Sequence, residues 1–301
     1  MTKARASQAP APFLKWVGGK RQLLTEIEKR APKNYDKYFE PFLGGGSVLF
    51  NFTPHSPVIN DINPHLTNTY LQIKNNPQKL FEEIRKIDAI PCTKDYYYSI
   101  RSRYNEKISS NQLDEECAAL MIWLNKHCFN GIYRVNSKGL FNVPFNNTTN
   151  VQTAIPENIQ AVSNYLNRSG AIILTGDFED ACRDVSAGDF VYFDSPYIPE
   201  SKTANFVDYT KDGFSYENHV RLADLFKKLD EKGAKLMLSN NNVELVHELY
   251  KGFNITPIAA RRSVNRNGNG RTGKEVIITN YLQDEAQAAQ TILFEERSHS
   301  L

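Results

Sequence analysis

Short apolar runs alternating with amphipathic stretches constrain this chain more than any other feature of its sequence. Tyr38-Phe39-Glu40-Pro41-Phe42, Pro57-Val58-Ile59-Asn60, Ala171-Ile172-Ile173-Leu174, Phe190-Val191-Tyr192-Phe193, Lys235-Leu236-Met237-Leu238 and Val276-Ile277-Ile278-Thr279 have the length and apolar content of buried strands. Helical periodicity follows most of them. Between Tyr216 and Glu231, for example, Val220, Leu222, Ala223, Phe226 and Leu229 recur on one face. Strand then helix, repeated, predicts an α/β fold with a parallel sheet and crossover helices.

The chain has 301 residues, room for two domains or for one α/β domain carrying an insertion. The strand signal lapses between about residues 75 and 155. Helices are predicted there at Pro77 to Ile87, Lys94 to Lys107 and Asp114 to His127, the last carrying Leu120, Met121, Trp123 and Leu124. From Cys128 to Thr153 the turn formers Asn130, Gly131, Asn136, Gly139, Asn142, Asn146, Asn147 and Asn150 predict an ordered but irregular loop. The segment 71–155 therefore reads as an inserted, mostly helical module.

Hydrophobic residues make up 41% and charged residues 23%, and no apolar run approaches the ~18 residues that cross a bilayer, which excludes a disordered or helical membrane chain. The start MTKARASQAPAP lacks the apolar stretch of a secretory signal and predicts a protein that stays inside the cell. Cys92, Cys117, Cys128 and Cys182 form no CxxC pair and the six histidines no HExxH, so neither a disulfide framework nor a zinc site is predicted.

A formal charge of +2 conceals an uneven distribution. Residues 1–25, 117–156 and 249–274 together hold fourteen Lys or Arg and no acid, so the rest of the chain carries −12. If the three windows meet in the fold, they form a face for a polyanion; otherwise they are ordinary solvated loops.

Two segments carry chemistry. In Phe39-Glu40-Pro41-Phe42-Leu43-Gly44-Gly45-Gly46-Ser47 a strand runs into three glycines and then a helix with Ser47 as its cap. Such glycines let a ligand approach the backbone at the carboxyl edge of a sheet, beside a helix start. The spacing is not GxGxxG, and Gly18-Gly19-Lys20 is not a phosphate loop. Asp61, about 20 residues on, suits ribose hydroxyls. In Phe190-Val191-Tyr192-Phe193-Asp194-Ser195-Pro196-Tyr197 a carboxylate emerges from a buried strand, where it needs partners, with a stiffening proline and a flat ring behind it.

These residues resemble the Dam-type (class alpha) DNA adenine N6-methyltransferases from Phe13 to about Tyr281, with the motifs in the family's order. Phe13 to Lys20 is similar to the N-terminal cofactor motif and Glu40 to Ser47 to the main S-adenosylmethionine loop. Asn60-Asp61-Ile62-Asn63 is similar to the ribose segment, Gly176-Asp177-Phe178 to the adenine-side segment, and Asp194 to Tyr197 to the catalytic DPPY. The resemblance implies a Rossmann-like methyltransferase sheet with an inserted DNA-recognition domain: residues 1–70 and 156–285 catalytic, 71–155 for target recognition, 286–301 a tail. It implies cofactor contacts from Trp16, Lys20, Phe42, Gly44, Gly45, Gly46, Asp61, Ile62, Asp177, Phe178 and Asp194, and catalytic roles for Asp194, Ser195, Pro196 and Tyr197, without a metal.

Phe129 to Asn136 and Gly139 to Phe145 resemble the DNA-reading loop of enzymes that act on GATC. Arg134 is then the guanine reader, because a bidentate guanidinium is the commonest specific base contact. Lys15, Asn130, Ile132, Asn136 and Pro144 are further DNA contacts by resemblance, and Phe129 either fills the space left by a flipped base, wedges between base pairs, or is a core aromatic capping the preceding helix. Arg261, Arg262, Arg266, Arg271 and Lys274 are expected on phosphates. The implied partners are double-stranded DNA and S-adenosylmethionine, the implied state a monomer, the implied location the cytoplasm at the nucleoid.

The chain has Ser195 where the family has Pro. A serine still supplies a backbone carbonyl but loses the fixed φ, and its hydroxyl competes for Asp194. A DNA-binding homologue with weakened catalysis is thus one alternative; a cytosine N4-methyltransferase, which uses a closely related catalytic tetrapeptide, is another, against which the reading loop and motif order argue; a nicotinamide-dependent dehydrogenase leaves the catalytic motif unexplained.

Overall fold

The computed structural model describes residues 9–18, 20, 23–148, 151–198, 214–258 and 275–282. The chain divides into two compact units: residues 1–24 with 37–184, and residues 25–36 with 185–301.

In the first unit β1 (Tyr38–Glu40), β2 (Pro57–Asp61) and β3 (Ile172–Thr175) lie in the order β3-β2-β1. All pairs are parallel, Glu40 opposite Ile59 and Asp61 opposite Thr175. Parallel pairing needs crossovers. α2 (Ser47–Phe52) supplies one, and the other runs from α3 (Pro64–Asn75) through α4 (Pro77–Asp88), α5 (Lys94–Ser109) and α6 (Glu115–His127) to α7 (Pro156–Arg168). The short α8 (Phe178–Ala181) follows β3.

The helices begin where side chains replace missing backbone partners. Asn63 accepts the N–H groups of His65 and Leu66, Thr93 that of Tyr96, and Asp114 that of Cys117. The turn before α2 differs from expectation: Gly46, left-handed at φ 68°, is the cap and makes no side-chain bond, so Ser47 is the first helical residue. α6 is buried on nearly every side and packs against α3, α4 and α5. Its Trp123 stacks on His127 at 4.0 Å and on Tyr97 at 6.1 Å.

The second unit holds most of α1 (Leu24–Arg30), then β4 (Phe190–Phe193), α9 (Tyr216–Glu231), β5 (Lys235–Asn241), α10 (Glu244–Leu249), β6 (Asn254–Ile258) and β7 (Glu275–Thr279). Strand order is β4-β5-β7-β6. β4 and β5 are parallel, whereas β7 runs antiparallel to both neighbours, with Leu238 opposite Ile278 and Ile255 opposite Ile278. The all-parallel sheet expected from strand–helix alternation thus fails at β7, and β6 adds a strand to those expected. β6 has only one buried residue and carries Pro257, whose missing N–H an edge strand tolerates. Phe226 of α9 packs edge-on against Tyr250 and Phe253 and at a tilt against Phe193. The architecture is mixed α/β with mostly parallel strands, as a Rossmann-like methyltransferase requires. Among the described residues no helix is long and apolar enough to cross a membrane.

Candidate active site and nucleic-acid interface

At the carboxyl end of β1 the chain turns through Gly44 and Gly46 with φ of 51° and 68°. Only glycine fits. A Cβ on Gly44 would lie 2.8 Å from Trp16 Cδ1, and one on Gly46 would lie 2.7 Å from the Tyr70 hydroxyl. Asp61, at the end of β2, spans the turn: Oδ2 accepts the Gly44 N–H at 2.9 Å and Oδ1 the Asn63 N–H at 2.9 Å. Burial raises the Asp61 pKa, and the two N–H groups offset part of that rise. Tyr70 donates to the Gly44 carbonyl at 3.1 Å.

Asn60, buried, joins three loops: its Nδ2 donates to the carbonyls of Pro41 and Gly176, each at 3.0 Å. Phe42 stacks on Phe178 at 5.3 Å, and Asp177 caps α8 through the Glu179 N–H. Ile62 beside Asp61 is 72% exposed. Lys20 is buried, its Nζ donating to the Gly18 carbonyl at 2.9 Å.

Trp16, Gly44, Gly45 and Asp61 therefore form one connected group, with Phe42 and Phe178 tied to it through Asn60. The donor set fits an adenosyl group. Each carboxylate oxygen of Asp61 keeps a second acceptor site for a ribose hydroxyl, and exposed Ile62 and half-buried Phe42, backed by buried Phe178, offer apolar surface to a purine.

In the second unit Asp194 follows directly on β4. Ser239 of β5 donates to Asp194 Oδ1 at 3.4 Å and shares a 3.0 Å bond with the Tyr192 hydroxyl. Ser195 is buried and its hydroxyl has no hydrogen-bond partner, so the expected competition for Asp194 does not occur. Pro196 is exposed. The Tyr197 hydroxyl donates to Glu275 Oε2 at 3.3 Å; burial, then the charges of Asp194 and Glu275, push its pKa far up and keep it a neutral phenol. Asn240 accepts the Ile198 N–H at 3.0 Å, and Asn241 donates to the Ile198 carbonyl at 2.7 Å. The turn is strapped at both ends.

Ser239, Asn240, Asn241 and Glu275 escaped the sequence reading. The abrupt change from apolar to polar within Lys235–Asn241 marks Ser239, Asn240 and Asn241 as unusual without naming their partners, and Glu275 carries no local signal.

From Cys128 to Thr148 the segment after α6 is ordered and irregular, as expected, and folds back on itself as a strap. Cys128 bridges Phe145, Val135 bridges Phe141, and the Asn136 side chain accepts the N–H groups of Lys138 and Leu140 at the tip. Phe129 is 52% exposed, which excludes a core role. Arg134 is exposed, with its Nε donating to Asn142 Oδ1 at 2.8 Å.

Lys15, Asn130, Asn136 and Pro144 are exposed and Ile132 half-buried. Asn125, also unforeseen, fastens the strap to the N-terminal segment: it accepts the Lys15 N–H and donates to the carbonyls of Lys15 and Gly131. Arg261, Arg262, Arg266, Arg271 and Lys274 lie outside the described residues. Among the described residues no cluster of His, Cys, Asp or Glu is placed to hold a metal.

Residues 16–264 match the family described as D12 class N6 adenine-specific DNA methyltransferase. A type II methyltransferase, M1.LlaDCHI of Lactococcus lactis subsp. cremoris, is 46% identical over 272 residues, covering 90% of this chain and 95% of that protein. Type II methyltransferase M.MjaIII of Methanocaldococcus jannaschii is 43% identical, covering 90% and 99%. A DNA adenine methylase of Vibrio cholerae is 33% identical, covering 86% and 91%. The family is adenine-specific, which removes the cytosine alternative. On the length and identity of these matches, the chain belongs to the D12 class of N6 adenine-specific DNA methyltransferases.

Proposed function

We propose that the chain methylates adenine N6 within GATC in double-stranded DNA, acting as a monomer in the cytoplasm at the nucleoid, without a metal, as the modification half of a restriction–modification pair. Residues 1–70 and 156–285 serve catalysis, 71–155 read the target, and 286–301 form a tail. The first two relatives cited are both named as type II methyltransferases, which supports the restriction–modification reading.

S-adenosylmethionine, when bound, supplies an electrophilic methyl on a sulfonium. Trp16, the glycine turn, Asp61, Ile62, Asp177, Phe178, Lys20 and Phe42 hold the donor. Adenine N6 is a weak nucleophile because its lone pair is delocalised into the ring. Asp194 and the Ser195 carbonyl accept its two N–H bonds and draw the nitrogen toward tetrahedral geometry, so transfer depends on positioning and charge. The Ser239 bond fixes which way the Asp194 carboxylate faces. The base has to leave the helix, and Tyr197 stacks on it while Phe129 enters the gap.

The observation that carries the GATC reading is the exposed Arg134, whose guanidinium Nε is held on Asn142. Base-resolution sequencing of DNA treated with the protein and S-adenosylmethionine tests it: N6-methyladenine is expected in GATC, and a different motif overturns the site assignment while leaving the chemistry intact. Asp194→Ala should abolish transfer and retain DNA binding.

A further inference from the structure

The strap ascribed to DNA and the turn ascribed to the methyl donor meet at one pair of rings. The Trp16 indole stacks on Tyr133 with centroids 5.7 Å apart and planes at 23°. The same indole sits so close to the glycine turn that a Cβ on Gly44 would fall 2.8 Å from its Cδ1, and one on Gly45 would fall 3.0 Å from its Cβ. Gly44 in turn is bonded to Asp61. On the other side Tyr133 adjoins Arg134 in the chain, and the backbone carbonyl of Arg134 accepts the Asn142 N–H at 3.1 Å.

The surrounding segments leave little slack. Asn125 holds both Lys15 and Gly131, and a Cβ on Gly131, at φ 64°, would strike the Lys15 side chain at 2.6 Å. Tyr133 itself is half-buried beside Tyr104 and Asn63, both of which influence its phenol electrostatically; Asn63 lies two residues beyond Asp61.

We infer that Tyr133 is a positioning residue that couples the two binding events: through its stack on Trp16, the reading strap sets the wall of the donor site, so that cognate DNA and donor each tighten the other. This rests on the assignment of the strap to DNA and of the Gly44–Asp61 turn to the donor. When Arg134 grips a base, the backbone it shares with Tyr133 loses freedom, and Trp16 is restrained with it. A second ligand then orders less of the protein for itself and binds more tightly. The coupling is reciprocal by thermodynamic necessity.

The test uses the full chain and S-adenosylhomocysteine, which has no methyl to transfer. Its affinity is measured by calorimetry with and without an excess of duplex carrying the sequence that the enzyme methylates. The duplex should tighten binding by about 5- to 150-fold in the parent protein. Tyr133→Ala should bring that factor close to one, and Tyr133→Phe, which keeps the ring and loses the hydroxyl, should preserve it. Tyr133→Leu fills similar volume without a ring stack and should lose the factor even if the alanine variant folds poorly. No tightening in the parent, full tightening in the alanine or leucine variant, or loss in the phenylalanine variant overturns the inference. Asp61→Ala separates the two levels: it should weaken binding with and without DNA, and undiminished affinity would mean that the donor-site assignment has failed, not the coupling.

Discussion

The Ser195 hydroxyl is buried in the turn after β4 without a hydrogen-bond partner among the described residues, and an orphaned group of this kind costs roughly 1–3 kcal/mol. Ser195→Ala should therefore raise the unfolding free energy by about 1 kcal/mol, seen as a higher melting midpoint; a lower one would mean that the hydroxyl has a partner after all. Ser195→Pro removes the same group and fixes φ, so the methylation rate should hold or rise. A clear drop would show that this turn needs its serine. His219, buried in α9 against the edge of Phe214, has its pKa pushed down to about 4 by burial. Because the folded value lies below the unfolded one near 6.5, its neutral form favours folding above that pH, and the benefit disappears as pH falls toward 4. Denaturant titrations should show a loss on the order of 2–3 kcal/mol from this group between pH 7 and 4, and His219→Phe should flatten that slope. The motif residues were legible because each is chemically odd where it stands, a carboxylate at the end of an apolar strand or three glycines together. Their supports were not: Ser239 and Glu275 are 45 and 78 residues from the groups they touch, and nothing local to either announces the pairing.

At the scale of elements, the sequence resolved what periodicity encodes. α4, α5, α6 and α9 fall within two residues of their predicted bounds, because α4, α5 and α9 have an apolar stripe, α6 is apolar nearly all round, and all but α4 have a polar cap that bonds the first turn. Strand direction is set by connections, and a period of two carries no direction, so the antiparallel β7 was invisible. β6 was missed because its alternation is interrupted by Pro257 and little of it is buried. The strap after α6 owes its shape to bonds made by Asn125, which in the sequence is one polar residue inside an apolar helix. It is 4% exposed and serves three backbone groups in two other segments. Asn125→Ala strands one N–H and two carbonyls, and should cost about 2–4 kcal/mol on the scale of unmet buried hydrogen bonds. Limited proteolysis should then cut first between residues 128 and 145. If the strap stays as resistant as in the parent protein, Asn125 is not what fastens it.

Across the whole molecule, function depends on separating how tightly DNA is held from which DNA is held. The chain's net charge of +2 hides three windows with fourteen basic residues and no acid, which form a face for a polyanion if they meet in the fold. Arg134 belongs to one such window, yet its Nε is fixed by Asn142, which suits it to a planar, bidentate contact with a base edge. Losing that contact should cost ~1–3 kcal/mol of discrimination, so Arg134→Ala should methylate sites that differ from GATC by one base pair almost as well as GATC itself. Arg266 and Arg271 belong to a second window, where the same resemblance points to phosphates. Replacing either with Ala should weaken binding to all sequences alike and lower the salt slope by about one unit each. A panel of duplexes with single substitutions, assayed for methyl transfer across a range of salt concentrations, distinguishes the two behaviours in one experiment. If Arg134→Ala keeps full selectivity and changes only the salt slope, then Arg134 grips the backbone. Sequence would have to be read by other residues of the strap, with Asn130, Ile132 and Pro144 the next to test.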